Sequence, residues 1–114
     1  MIHPLSGPAR RLIAYVGMQE MYDERPMYRA LLDQARTQGC AGGTVVCCIT
    51  GFGPSSRGEA QHDLVMSDDE PVMVQVIDEP NRIAALAEVW SSMVENGLIT
   101  VENCSVIFYG AETK

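Results

Sequence analysis

The sequence predicts a single α+β domain in which one antiparallel sheet carries two helices. The chain has 114 residues, which is the length of one domain. Hydrophobic residues make up 46% and charged residues 20%, a balance that is typical of a packed globule. The predicted elements follow the order strand, helix, strand, and this order occurs twice along the chain. These three observations define the expected fold class, a single domain over residues 1–114.

The first strand–helix–strand unit occupies the N-terminal half. Residues 1–10 contain two prolines and one glycine, so we expect a loose arm there, followed by a strand at 11–17. A helix is predicted at 26–38, because proline suits the first helical position and Gly39 suits a C-terminal cap. Residues 43–51 are rich in β-branched side chains and predict the second strand.

The second unit repeats this order after a long loop at residues 52–71. A strand is predicted at 72–78, a helix with a regular apolar stripe at 80–96, and a last strand at 104–109. Two such units in one chain predict the ferredoxin-like βαββαβ arrangement with an antiparallel sheet. Right-handed crossovers place both helices on the same face of that sheet.

The predicted strands at 43–51 and 72–78 are apolar at nearly every position. Strands that are apolar on both faces need cover on both, and two helices on one side cover only one. We therefore expect a homo-oligomer whose sheets face one another. Adjacent strand residues point to opposite faces, so we expect one of Cys47 and Cys48 in the helix-covered core and the other at the interface.

The chain carries 8 basic and 15 acidic residues and a net charge of −7. Nucleic-acid binding and docking on anionic lipid both depend on a basic surface, so neither is expected. No stretch approaches the roughly 18 apolar residues of a membrane-spanning helix, and the N-terminus lacks the pattern of a signal peptide. Four cysteines without CxxC spacing agree with a cytoplasmic protein.

The strongest candidate for a binding site is the segment GFGPSSRG at residues 51–58. Glycines let the backbone approach a ligand, and successive N–H groups can hold an anion. Hydroxyl groups and a guanidinium suit phosphate or carboxylate. On spacing alone an ordinary loop is the preferred interpretation, because no Walker or dinucleotide pattern is present. The candidate ligand-binding residues are Gly51, Phe52, Gly53, Ser55, Ser56 and Arg57.

No catalytic residue and no metal ligand is predicted. His3 and His62 are isolated in the sequence, and two separate imidazoles do not make a metal site. The acidic run Asp68, Asp69 and Glu70 is interpreted as part of a solvated loop.

The ordered motifs GTVV, GFG, SSR and SDDEPVMVQVID resemble the PII-like family known as Domain of Unknown Function 190, within the nitrogen-regulatory PII superfamily. The resemblance spans about Leu12 to Tyr109. It implies a ferredoxin-like homotrimer with ligand clefts between subunits, near the base of a T-loop that corresponds to residues 52–71. Relatives in the superfamily bind adenine nucleotides and regulate transporters or enzymes. Residues 96–103 stand where PII proteins have a phosphate-binding loop, and they contain one glycine and no lysine.

We therefore expect a non-enzymatic regulator with no certain cofactor. An adenine nucleotide, or a small carboxylate or bicarbonate-like anion, is the expected effector at segment 51–57. Residues 52–71, with five acids and one arginine, are expected to be mobile without ligand and to contact a basic partner surface, such as that of a membrane transporter or an enzyme. The alternatives are a small ferredoxin-like oligomeric enzyme and a metal-responsive protein of the same superfamily.

Overall fold

The computed structural model of the protein describes residues 5–48 and 70–110. Within these ranges the elements follow the order β1, β2, β3, α1, β4, β5, α2, β6. Their bounds are Gly7–Gly17 for β1, Met21–Tyr22 for β2, Arg25–Pro26 for β3, Met27–Thr37 for α1, Thr44–Cys47 for β4, Pro71–Asp78 for β5, Pro80–Met93 for α2 and Leu98–Val106 for β6.

The four longer strands form one antiparallel sheet in the order β4-β5-β1-β6, and β2 pairs with β3 in a separate small hairpin. This order is that of two strand–helix–strand units split over one sheet. The mixed α+β class, the antiparallel sheet and the two helices predicted from the sequence are therefore confirmed. Neither helix in the described ranges has the length and apolar content that crossing a bilayer requires.

The core lies between one face of the sheet and the two helices. On β5 every second residue is buried, and Val74 is fully buried at the centre. Trp90 of α2 is also fully buried, and its indole Nε1 donates a hydrogen bond of 3.1 Å to the carbonyl of Leu31 in α1. The buried indole thus connects the helices, as expected for an aromatic side chain whose polar atom needs a partner.

β1 begins at Gly7, so residues 7–10 belong to the sheet and the predicted loose arm does not extend that far. Gly7 pairs with Val106 and Arg10 with Asn103, while pairing with β5 starts only at Arg10. Pro8 therefore lies where β1 has a neighbour on one side only, a place in which a missing N–H is tolerated. Residues 1–4 lie outside the described ranges.

The last helix ends and the last strand begins earlier than the sequence predicts. α2 ends at Met93, and β6 starts at Leu98, next to β1. Gly97 makes this entry possible, because a Cβ there would lie 2.5 Å from the carbonyl oxygen of Tyr15. Most of residues 96–103, which the resemblance to PII proteins matches to their phosphate-binding loop, therefore forms an edge strand.

The sheet face away from the helices carries an apolar row that this chain leaves uncovered. The strand register aligns one residue from each strand across the sheet: Val46, Met73, Tyr15 and Leu98. Tyr15 is 36%, Val46 39% and Leu98 54% exposed. We call these four residues the open-face row. The open face is thus apolar along this row, while Arg11, Gln75 and Glu102 place polar groups elsewhere on the same face.

The placement of Cys47 differs from the prediction that one cysteine of the pair is buried in the core. Cys47 is exposed and Cys48 is half-buried. Cys47 pairs with the buried Val72 and so shares its face, but it lies at the end of the edge strand β4. Of β4, only Val45 packs against the core.

A buried carboxylate joins the end of β5 to the two helices. Asp78 is fully buried, and its Oδ2 accepts a hydrogen bond of 2.8 Å from the backbone N–H of Ala41, in the segment after α1. Its Oδ1 accepts one of 2.7 Å from the N–H of Glu79 and lies 3.5 Å from Nε of Arg82 in α2. Arg82 in turn donates through Nη1 to the carbonyl of Gln38 at 3.2 Å.

Replacing Asp78 with Asn is expected to destabilise the chain by about 3 kcal/mol, because Arg82 loses its partner and an amide group faces a backbone donor. Chemical denaturation followed by circular dichroism measures this loss. Asp33→Asn is the matched control, since Asp33 pairs with Arg25 at the surface, where such pairs contribute about 0–1 kcal/mol. Equal losses in the two variants would contradict a structural role for Asp78.

Candidate functional site

The residues predicted to bind ligand lie outside the described ranges, so their placement stays a prediction. These residues are Gly51, Phe52, Gly53, Ser55, Ser56 and Arg57. The structure does describe where the chain enters and leaves residues 49–69. The N–H of Cys48 donates to the carbonyl of Pro71 at 3.0 Å, and the N–H of Met18 donates to the carbonyl of Glu70 at 2.6 Å. Both ends of that segment are therefore anchored at the same end of the sheet.

A cavity of about 370 Å³ lies at the opposite end of β4 from this segment. Its described lining is Leu5, Ala41, Gly42, Gly43, Thr44, Gln75, Ile77, Val106, Phe108 and Tyr109. None of these lining residues is charged, and the polar side chains among them are a hydroxyl, an amide and a phenol. Thr44 and Gln75 are directly opposite each other on β4 and β5. We call this space the sheet-end cavity.

The wall of the sheet-end cavity is formed by Ala41, Gly42 and Gly43. Ala41 is fixed by its hydrogen bond to Asp78, and its carbonyl lies 3.5 Å from the hydroxyl of Tyr109. Gly43 packs directly on the core, because a Cβ there would lie 2.7 Å from Cδ2 of Leu32. The wall is therefore bare backbone that is attached to the fold on one side and faces the cavity on the other.

Gln75 is a polar side chain of the cavity that is held by a charged neighbour. Arg11 on β1 donates through Nη1 to Oε1 of Gln75 at 3.3 Å. The same guanidinium donates through Nη2 to Oε1 of Glu102 on β6 at 2.8 Å. Hydrogen bonds thus connect Glu102, Arg11 and Gln75 across three neighbouring strands, and this series of side chains ends at the cavity.

A second cavity, of about 280 Å³, lies on the other side of the same wall and includes Arg36 and Cys40. Burial, together with the nearby charge of Asp78, raises the pKa of the Cys40 thiol to about 11, against the opposing effect of Arg82. The thiol is therefore protonated at neutral pH, and only the thiolate is a good nucleophile or metal ligand. Across residues 5–48 and 70–110, no group of three or more His, Cys, Asp or Glu side chains could hold a metal ion.

The sheet-end cavity is not predictable from the sequence, because its lining residues come from four separate parts of the chain. The sequence does contain two signals for it. Gln75 interrupts the apolar strand VMVQVID, and the pair Gly42-Gly43 precedes β4 where one glycine would suffice to end the loop. Neither signal indicates which distant residues complete the site.

The sequence model of the DUF190 family, described as Uncharacterized ACR, matches residues 9–106. A UPF0166 protein of Aquifex aeolicus is 31% identical over 94 residues, which cover 82% of this chain and 89% of that protein. A UPF0166 protein of Methanocaldococcus jannaschii is 30% identical over 107 residues, covering 92% and 95%.

Solved structures with a similar fold include CPII from Thiomonas intermedia K12, a nitrogen regulatory PII-like protein. Its apo form has a TM-score of 0.55 at 20% identity and covers 87% of this chain and 91% of CPII. CPII bound to ADP and bicarbonate has a TM-score of 0.55 at 19% identity and covers 87% and 88%. At this identity the likeness shows the fold, while the match over residues 9–106 shows the family. The chain therefore belongs to the DUF190 family, and its fold is that of the PII-like proteins.

Proposed function

We propose that this protein is a PII-like regulator that binds a small anionic ligand, with an adenine nucleotide as the first candidate, in a cleft between two copies of the chain. The observation that carries the proposal is the sheet-end cavity, whose described lining carries no charge. The cavity lies at one end of β4, the chain continues from the other end toward segment 51–57, and the chemistry of the two is complementary. Segment 51–57 offers glycines, hydroxyls and a guanidinium, whereas the cavity offers apolar walls and neutral polar groups.

A nucleotide has an uncharged planar base and charged phosphates, and it suits this division. The cavity accommodates the base, because burying a neutral ring there leaves no charge unpaired. Segment 51–57 takes the phosphates through backbone N–H groups, the hydroxyls of Ser55 and Ser56, and Arg57. CPII, which shares the fold, has been solved with ADP, AMP and bicarbonate, and these three molecules are the first probes to test.

The two halves of the site come from different copies of the chain in this proposal. In an extended strand, Thr44 and Cys47 are about 10 Å apart, so the cavity lies about that far from the point where β4 continues toward segment 51–57. The open-face row supplies the surface on which copies pack, and a homotrimer is the assembly that the PII-like family suggests. The cleft then lies where the sheet of one copy meets segment 51–57 of its neighbour.

Regulation of a partner protein is assigned to residues 52–71, which include most of the ligand-binding segment and continue beyond it. Their acids, Glu59, Asp63, Asp68, Asp69 and Glu70, suit a basic surface. A membrane transporter is one candidate, because its cytoplasmic loops are rich in Lys and Arg. An enzyme with a basic surface is the other.

The assembly is tested with aspartate substitutions on the two faces of the sheet. Val74→Asp is expected to prevent folding, because Val74 is fully buried in the core and the new charge has no partner. Val46→Asp is expected to fold with an unchanged circular dichroism spectrum but to lose the oligomer in light scattering, because Val46 belongs to the open-face row. A wild-type chain that scatters as a monomer at all concentrations would contradict the proposed cleft.

Ligand binding is tested with Arg57→Ala and calorimetric titration of ADP, AMP and bicarbonate. Loss of a direct charged hydrogen bond is expected to weaken binding by about 1.5–3 kcal/mol, which is roughly 10- to 150-fold. The matched control is Arg29→Ala, since Arg29 is exposed on α1 at the helical face of the domain. Unchanged affinity in the Arg57 variant would place the anion elsewhere, and the absence of any thermal shift with the three probes would contradict this ligand class.

The partner surface is tested by neutralising Asp68, Asp69 and Glu70 together. With a Lys- and Arg-rich peptide as probe, we expect slower association, a smaller dependence on salt and little change in dissociation. The control neutralises three exposed acids elsewhere, Glu24, Glu88 and Glu95, so the change in net charge is the same. The same effect in both variants would mean that net charge, and not this segment, attracts the peptide.

A further inference from the structure

We infer that the Gln75 amide selects the group that enters the sheet-end cavity, and that it does so as a hydrogen-bond donor because Arg11 holds its oxygen. The inference rests on the proposed function in one respect, namely that the cavity receives a ligand group. It adds the polarity of that group, and it assigns Arg11 as a positioning residue. Neither assignment involves segment 51–57.

The orientation of the Gln75 amide follows from the chemistry of its neighbour. An arginine side chain has five N–H donors and no acceptor, so the amide atom that faces Nη1 of Arg11 at 3.3 Å must be the oxygen. Glu102 accepts from Nη2 of the same guanidinium at 2.8 Å and restricts its rotation. The amide of Gln75 is therefore held by a charged group that is itself held by a carboxylate.

The strand order decides which side of Gln75 is left for a ligand. Arg11 and Glu102 belong to β1 and β6, which lie on one side of β5. Thr44 is opposite Gln75 on β4, on the other side, and lines the cavity with it. In the described part of the chain no residue accepts a hydrogen bond from Nε2 of Gln75. The amide N–H groups are thus the ones available to the cavity.

This arrangement defines the class of group that the cavity takes. The lining residues that the structure describes carry no charge, so we expect a neutral group. The bare backbone of Gly42 and Gly43 allows a flat ring to approach closely. A ring whose edge presents an acceptor, such as an aromatic nitrogen or a carbonyl oxygen, pairs with the amide N–H of Gln75. A ring that presents only a donor leaves two donors facing each other, which costs affinity.

The test uses adenosine as the probe, since it has the ring nitrogens of a purine and no phosphate. Calorimetric titration of the full chain compares the wild type with Gln75→Glu, which has the same shape and retains an acceptor for Arg11. We expect Gln75→Glu to weaken adenosine binding by at least about tenfold, because the donor is replaced by a charged acceptor. Equal or tighter binding would mean that Gln75 acts as an acceptor, which would overturn the inference.

The positioning role of Arg11 is tested by a double-mutant cycle with Gln75→Met. Arg11→Met is expected to weaken adenosine binding about three- to tenfold when Gln75 is present, because the freed amide can turn its oxygen toward the ligand. In the Gln75→Met background the same substitution is expected to have no further effect. The same loss in both backgrounds would show that Arg11 acts on the fold alone.

The two proposals fail in different ways. Adenosine carries no charge, so its binding tests the cavity alone. If the wild type does not bind adenosine up to the solubility limit of adenosine, this inference is overturned. Titration of the Arg57→Ala variant with ADP and bicarbonate tests the proposed anion site. Thermal unfolding of each variant without ligand shows that a lost signal comes from the binding site and not from a destabilised fold.

Discussion

The buried carboxylate of Asp78 is the interaction on which the geometry of the cavity depends. A charged group without access to water is costly unless hydrogen bonds and an ion pair compensate it. Here the partners are the N–H groups of Ala41 and Glu79 and the guanidinium of Arg82. Because these partners belong to the segment after α1 and to the start of α2, the carboxylate positions the backbone wall that faces the cavity. The hydrogen bonds that the buried Asp78 needs thus fix the backbone that lines the cavity, where a ligand can bind.

The open face of the sheet adds a second constraint. Helices cover one face, and the open-face row leaves apolar side chains on the other, so a small domain gains burial by association with further copies. The sheet-end cavity lies on this same face, at the end of the row's strands. An interface on this face would therefore border the cavity, which is why a site shared between copies is the arrangement that the chain's chemistry favours.

The sequence predicts the elements whose apolar residues recur at regular spacing and misses the features that have no such spacing. The apolar alternation at 72–78 and the stripe of α2 predict a strand and a helix that the structure confirms. β1 and β6 are longer than predicted. Pro8 is atypical of a strand and obscures the start of β1, and the polar residues Thr100 and Glu102 obscure the start of β6. The cavity could not be predicted, since the register that aligns Thr44 with Gln75 is a tertiary property. The six predicted ligand-binding residues lie outside the described ranges and stay predictions.

The proposed site joins two kinds of recognition. A neutral cavity recognises shape and hydrogen-bond polarity, and a segment with glycines and Arg57 recognises charge. A ligand that uses both binds the assembly more tightly than a single copy, so by linkage it also stabilises the assembly. In this proposal the charged end of that ligand contacts Arg57, which belongs to residues 52–71. A partner that contacts those residues can therefore distinguish an occupied cleft from an empty one, because its own contacts differ between the two states. This requires no change in the sheet.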